Sequence, residues 1–240
     1  MKKYLAICVC LVAAAFVFGQ SRSKRAKQPR PVKQPPAVLE AYQVCTDFRR
    51  MLAEDLNFDR AFEATFVKDP ARRRAIAIAE TEFTDEDLKQ IDDATAIGLY
   101  KDATQLFILI IPTLFAVDDD QRPKVFPPSI GAILERKPPK DPQKIPEFAA
   151  QLKRDVAEVR THFDKVVAQN PALAKGIQNY KASLLTPLEP PNRVVKPLTA
   201  YSRGHVLRLD EPYYQIDDCA LIREDGKMKM IGYTFLILRW

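Results

Sequence analysis

Between residues 38 and 54 the apolar positions Val38, Ala41, Tyr42, Cys45, Phe48 and Leu52 recur every three or four residues, the stripe of an amphipathic helix. Phe58, Phe62 and Phe66 repeat four apart behind Asn57, a good N-cap, and predict a second helix. Asp69-Pro70 is a cap followed by a proline at the first helical position, which opens a third helix through Ala79. Thr84, with Asp87 three residues on, approximates a capping box and predicts a helix through Leu88, Ile91 and Leu99, with Gly98 as its weak point. That helix leads into 106–117, twelve residues broken only by Pro112 and Thr113. A bilayer takes about 17–25 apolar residues, so this stretch predicts a buried helix bent at Pro112. After a proline-rich segment with one short helix near 130–134, Pro146 opens the clearest helix. Its stripe is Phe148, Leu152, Val156, Val159, Phe163, Val166 and Val167. Asn170-Pro171 caps a last helix, with Leu173, Ile177, Tyr180 and Leu184 facing inward.

The pattern then changes. Pro187, Pro190, Pro191 and Pro197 make a stiff extended connector. Beyond it the apolar period becomes two: 213–223 and 228–239 flank Asp225-Gly226, a hairpin turn, and 205–209 supplies a third strand. The fold class is therefore α+β: a mainly helical, bundle-like N-terminal region followed by a small C-terminal antiparallel sheet of two or three strands. A two-residue turn at Asp225-Gly226 sets Glu224 opposite Lys227. Continuing that register puts Ala220 opposite Ile231, Ile216 opposite Phe235 and Tyr214 opposite Ile237, all on one apolar face. Asp218 falls on the same face opposite Tyr233, where a buried carboxylate needs a partner. The expectation is a buried polar pair of Asp218 and Tyr233, or an Asp218 that reaches water at the sheet margin; the alternative is a strand that bulges near Asp217-Asp218 and turns both acids outward.

Charge and composition alter this picture at the N-terminus. Lys2 and Lys3 precede an unbroken apolar run from Leu5 to Phe18, and Gln20, Ser21 and Arg22 follow at once. This is the layout of a cleaved signal peptide, with Val17 and Gly19 acceptable at −3 and −1. Ile7-Cys8-Val9 lacks the small residue that lipidation wants before its cysteine. Residues 1–33 carry eight basic groups and no acid, so of the +6 net charge residues 34–240 hold −2. The basic pI belongs to the leader and tail, and a nucleic-acid-binding domain is not implied. The expected organisation is a signal peptide at 1–19, a basic proline-rich disordered linker at 20–36, a helical region at 37–186, a proline-rich connector at 187–199, and a β-hairpin region at 200–240 packed on the helices. The protein is expected to be exported, to the periplasm or beyond the cell, with no membrane span after processing. Its basic tail suits an anionic surface or an envelope protein as partner.

Little in the sequence speaks for catalysis. The two histidines, His162 and His205, have no second His or Cys at zinc-ligand spacing. Ser202 and His205 are three apart on an extended segment, hence on opposite faces. No Walker loop, H-E-x-x-H, G-x-S-x-G or G-x-G-x-x-G occurs. Glu80, Glu82, Asp85, Glu86, Asp87, Asp92 and Asp93 match no Ca²⁺ loop and suit a helix N-terminus. Asp118, Asp119 and Asp120 end the apolar helix as a solvated stop, and Arg72, Arg73 and Arg74 form the wet face of a short helix. Gly232, Leu236, Leu238 and Trp240 resemble the end of an outer-membrane barrel strand, but a barrel needs at least about eight strands. No catalytic residue, cofactor-binding residue or metal ligand is assigned. Cys45 and Cys219 are the two cysteines beyond the signal segment, and an exported chain permits them to pair.

The resulting functional expectation is a non-enzymatic binding or interaction module of the cell envelope. One alternative is a carrier of an apolar small molecule around 106–117. Another is an envelope hydrolase whose carboxylates meet only in three dimensions. N-terminal sequencing of the exported protein checks the leader: the mature chain begins near Gln20, and an intact Met1 on membrane-bound material would contradict it.

Overall fold

Prolines at helix starts, and asparagine or aspartate just before them, set most of the helix boundaries. The computed structural model describes residues 32–81, 91–116, 130, 132–133, 136, 139, 141–188, 195–198, 201–203, 207–209 and 211–233. Side chains of 80–81, 111–116 and 201–210 are excepted. The expectations for 1–31, Thr84 and the acids around it, Val117, Asp118 to Asp120, the middle of the connector, His205, Phe235 and Ile237 lie outside the described residues.

Six α-helices are described: α1 Pro36–Asp55, α2 Phe58–Thr65, α3 Pro70–Thr81, α4 Asp93–Ala116, α5 Ile145–Gln169 and α6 Pro171–Leu184. The Asn57 side chain accepts the Arg60 N–H at 3.1 Å, and Asp69 accepts that of Arg72 at 2.7 Å. Asn170 accepts from both Ala172 and Leu173 at 3.1 Å. The expected run from Thr84 through Ile91 into α4 is corrected. Ile91 is a buried bend before the helix, and Asp92 caps a fresh start by accepting the Thr95 N–H at 2.8 Å. α4 continues across Pro112. α2 stops one residue short of Phe66, which turns extended and forms a parallel bridge with Met230.

The sheet also departs from expectation. Strands β3 Tyr214–Ile216, β4 Cys219–Glu224 and β5 Lys227–Tyr233 form one antiparallel sheet in that order. Among the described residues β1 Tyr201–Arg203 and β2 Leu207–Leu209 pair only with each other, so the segment near 205–209 is not the hairpin's third strand there. That role belongs to β3, because 213–223 is not one strand: it reverses at Asp217-Asp218, and Ile216 pairs with Cys219. The expected register holds from Glu224↔Lys227 to Leu221↔Met230. A bulge at Ile231 then shifts it, setting Ala220 opposite Gly232 and Cys219 opposite Tyr233. Asp218 therefore does not face Tyr233. Asp225 and Gly226 both have positive φ, 50° and 75°, as a type I′ turn requires. Both outer edges are covered, β3 by Leu198 against Tyr213 and β5 by the strand-like Phe66-Val67, whose Val67 N–H reaches the Met230 carbonyl at 3.0 Å.

The chain divides at Lys33 into two units, and the second, Gln34–Trp240, holds every element above. At its centre Phe48, Phe58, Phe62 and Phe66 are all 0% exposed, with ring centroids 4.5–6.2 Å apart in the contacting pairs. Tyr100 of α4 and Tyr233 of β5 complete the cluster. Such pairs each add about 0.5–1.5 kcal/mol beyond the area they bury. β4 and β5 are buried on both faces, since Cys219 to Ile222 and Met230 to Tyr233 are buried without alternation. Among the described residues no helix is long and apolar enough to cross a membrane.

α1 is tied to the sheet by more than packing. Its Glu40 accepts the Met228 N–H at 2.7 Å and an Arg223 guanidinium hydrogen at 2.8 Å, holding the tip of the β4–β5 hairpin. From the other side Glu224 accepts the backbone N–H groups of Lys68 at 2.6 Å and Asp69 at 3.1 Å. The Glu40→Ala variant should lose about 1–3 kcal/mol, since it removes a bond to a charged group and leaves the Met228 N–H without its acceptor. Chemical denaturation checks this, with far-UV circular dichroism expected to stay native.

Candidate functional site

Where β3 turns into β4, the chain has only Asp217 and Asp218 with which to reverse. Asp217 takes a positive φ of 49°, a conformation aspartate tolerates better than most residues because its short side chain can bond locally. The Gln215 side chain steadies the turn by donating to the Asp217 carbonyl at 2.8 Å. Beneath it lies Arg49 of α1, 9% exposed, on the same helical stripe as Cys45 and Leu52. The guanidinium donates through Nη1 to the Asp217 carboxylate at 3.2 Å and through Nη2 to the Ser183 carbonyl of α6 at 2.8 Å. One side chain thus joins α1, α6 and the turn.

Cys45, one helical turn before Arg49, lies at disulfide distance from Cys219, the residue directly after the turn. The sulfurs are 1.97 Å and the Cα atoms 5.9 Å apart, across 174 positions of sequence. Both cysteines are 0% exposed. A cross-link closing so long a loop is worth up to about 5 kcal/mol in the chain-entropy model.

Three tyrosines surround this ladder. Burial pushes the Tyr180 hydroxyl up to about 12, with Arg49 opposing and Asp218 adding to the shift. Burial also raises Tyr233, with Tyr180, Asp218 and Asp217 contributing, and raises Tyr42 together with Asp217. Asp218 is exposed in the turn, not buried; partial desolvation and then the Asp217 charge raise its carboxyl, against Arg49. Asp218 and Tyr233 are electrostatic neighbours, but the expected buried polar pair is corrected to a buried tyrosine beside an exposed acid. The turn lifts Asp218 off the apolar face. Both carboxylates of the turn are exposed, and the half-buried Tyr42 lies near enough to feel the Asp217 charge.

Other charged groups are committed to the fold. Burial alone would raise the Glu63 carboxyl, but hydrogen bonds from Arg73 (3.0 and 3.2 Å) and Lys101 (3.1 Å) hold it at about 2. Arg73 and Lys101 also lie over the Phe62 ring, 4.8 and 5.7 Å from its centroid. Arg72 pairs with Glu211 and Arg74 with Asp93, so the triple arginine is a set of three separate ties, correcting the wet face expected of it. In α5 the buried Asp155 accepts from Gln151 at 2.7 Å and faces Arg136 Nε at 2.9 Å. Leu106, Ile108, Leu109 and Ile110 are buried core residues, so the described part of 106–117 serves packing. An open hollow of about 500 Å³ beside α5 is lined by Ile130, Ala157, Glu158, Thr161, His162 and Lys165. Among the described residues no group of three or more His, Cys, Asp or Glu is placed to hold a metal ion.

Arg49, Tyr42 and Tyr180 were not singled out as site residues by sequence reasoning. The one available signal was an arginine on the apolar stripe of the first helix, at i+4 from Cys45. Compared with known proteins, the chain matches no protein-family model, no curated protein and no solved structure.

Asp102 of α4 generates a pH prediction. Burial raises its carboxyl to about 6, with Lys153 and Lys101 opposing. The fold favours the protonated form, so its contribution is present below the ordinary carboxylate range and is lost as pH rises through about 6. Asp102→Asn should therefore raise the melting temperature at about pH 8 and leave it nearly unchanged at about pH 4. Thermal scans at the two pH values check this.

Proposed function

We infer that this protein is exported and acts as a non-enzymatic binding module of the cell envelope, with the Asp217-Asp218 turn as the recognition surface. The observation that carries the export half is Cys45 at disulfide distance from Cys219, because such pairs persist in oxidising compartments and are rare in the cytosol. It agrees with the leader-like charge and hydropathy pattern of the first nineteen residues. The recognition half rests on how the turn is held. A bridge, an ion pair and a side-chain bond to its own carbonyl fix the backbone, while two carboxylates face solvent. A rigid loop loses little conformational entropy on binding, which favours affinity.

The hydrolase alternative draws on the same two carboxylates. Asp217 is paired with Arg49, while partial burial and the neighbouring Asp217 charge raise the carboxyl of Asp218, so the two acids sit in different surroundings.

Two measurements test the reading. In protein taken from intact cells and labelled under denaturing conditions without reductant, neither Cys45 nor Cys219 should react with a thiol reagent; labelling of both would place the chain in a reducing compartment. The mature protein should be retained on isolated envelope material, and the Asp217→Asn/Asp218→Asn variant should lose about tenfold or more in retention, the loss expected when buried or rigid polar contacts go unmade. Unchanged retention would remove the turn from the recognition surface.

A further inference from the structure

We propose that the Cys45–Cys219 pair is a redox-controlled clamp on the Asp217-Asp218 turn, acting locally and leaving the rest of the fold in place when it opens. Three contacts join α1 to the sheet in sequence along one helix: Glu40 to the hairpin tip, Cys45 to Cys219, and Arg49 to Asp217. The first acts on the far end of β4–β5. It holds Met228 and Arg223 without help from the cysteines. The α2–α3 connection grips the same end through Glu224 and Val67. β3, by contrast, is three residues long; it pairs with β4 at Tyr214↔Leu221, Gln215↔Ala220 and Ile216↔Cys219, and on its other side the chain makes one bridge, Leu198↔Tyr213, just before the strand and away from the turn.

The chemistry of opening is already provided for. Reduction takes two electrons and two protons, breaks the S–S bond and leaves two thiols; a dithiol supplies both and is itself oxidised to a disulfide. The Cys45 sulfur lies 3.6 Å from the Ile216 carbonyl oxygen, so the thiol formed there has an acceptor in place. Cys219 has its place in the β4 ladder whether or not it is bonded to Cys45. Helix α1 therefore keeps its seat. What is lost is the covalent stop on a two-residue reversal with a positive φ at Asp217, which then keeps to α1 only the Arg49–Asp217 ion pair and the Cys45 contact with the Ile216 carbonyl. Both sulfurs are buried, so reductant enters through opening of the turn itself, and a partner seated on the turn would slow reduction.

This inference rests on the turn's being the recognition surface only for its consequence, since the clamp can be read without a ligand. The experiment is amide hydrogen exchange on the full mature chain, with the bridge intact and after treatment with dithiothreitol. Protection should be lost at 215–220 on reduction and kept at 222–230 and in α1, with far-UV circular dichroism unchanged. Cys45→Ser/Cys219→Ser should reproduce the reduced pattern; if that variant fails to fold, the reduced wild-type chain decides. Loss of protection throughout the chain would show the pair to be a global staple. No change at 215–220 would show that the turn does not need it. Either result overturns the proposal, and neither depends on whether envelope material binds.

Discussion

Everything C-terminal of the helices is positioned by the seam between α1 and the sheet. Val38, Ala41, Cys45, Phe48 and Leu52 are buried along one side of α1, and all but Val38 belong to the core that also holds Cys219 to Ile222 and Met228, Met230, Ile231 and Tyr233. Burying a large apolar side chain contributes about 1.5–3 kcal/mol, so a stripe of this length outweighs any single polar tie. The polar ties do something packing cannot: they set register. Glu40, Cys45 and Arg49 each grip a different point of the sheet, and α1 cannot slide by one residue without breaking all three.

The other end of α1 is held with equal care. Leu56 takes a left-handed φ of 54°, and the last carbonyls of the helix would be left without intrahelical partners. Lys181 of α6 donates to the Glu54 carbonyl at 2.9 Å. Arg160 of α5 reaches Asp55 at 2.6 Å and Leu56 at 3.3 Å, and Gln105 of α4 reaches Leu56 at 2.8 Å. Three helices thus converge on one helix terminus with donors, two of them cations, where the backbone dipole is negative. Gln105 also accepts the Phe58 N–H at 2.8 Å, so the same side chain ends α1 and starts α2. The bundle and the sheet are both referred to this one helix.

That arrangement explains why the surface at Asp217-Asp218 is built as it is. Arg49 is buried because it lies on the stripe that packs, and a buried guanidinium must be matched. Two of its nitrogens are, by Asp217 and by Ser183, while Nε has no acceptor among the described residues. An unmet donor of this kind costs about 1–3 kcal/mol, which the surrounding burial offsets. The fold tolerates that cost where the turn meets two helices. The same desolvation that makes Arg49 expensive holds protons on Tyr180 and raises Asp218.

Read alone, the residues settle what depends on near neighbours. Asn57, Asp69 and Asn170 cap the helices they precede because the donor and acceptor lie two or three residues apart. Asp225-Gly226 makes its turn because both positions accept positive φ. The α+β class follows from a change of apolar period that needs no partner to be visible. Contacts across long separations were decided only in three dimensions. Asp217-Asp218 could continue a strand or reverse it, and the reversal is chosen because Arg49, 168 residues away, waits beneath it. The register slips at Ile231 because both faces of β5 are buried, which removes the one-sided pattern that would have pinned it. Phe66 belongs to the stripe of α2 by spacing and to the edge of β5 by pairing, and the strand's unpaired backbone groups decide between them. The triple arginine shows no spacing signal for its three partners, since an ion pair between distant residues leaves no period in the chain.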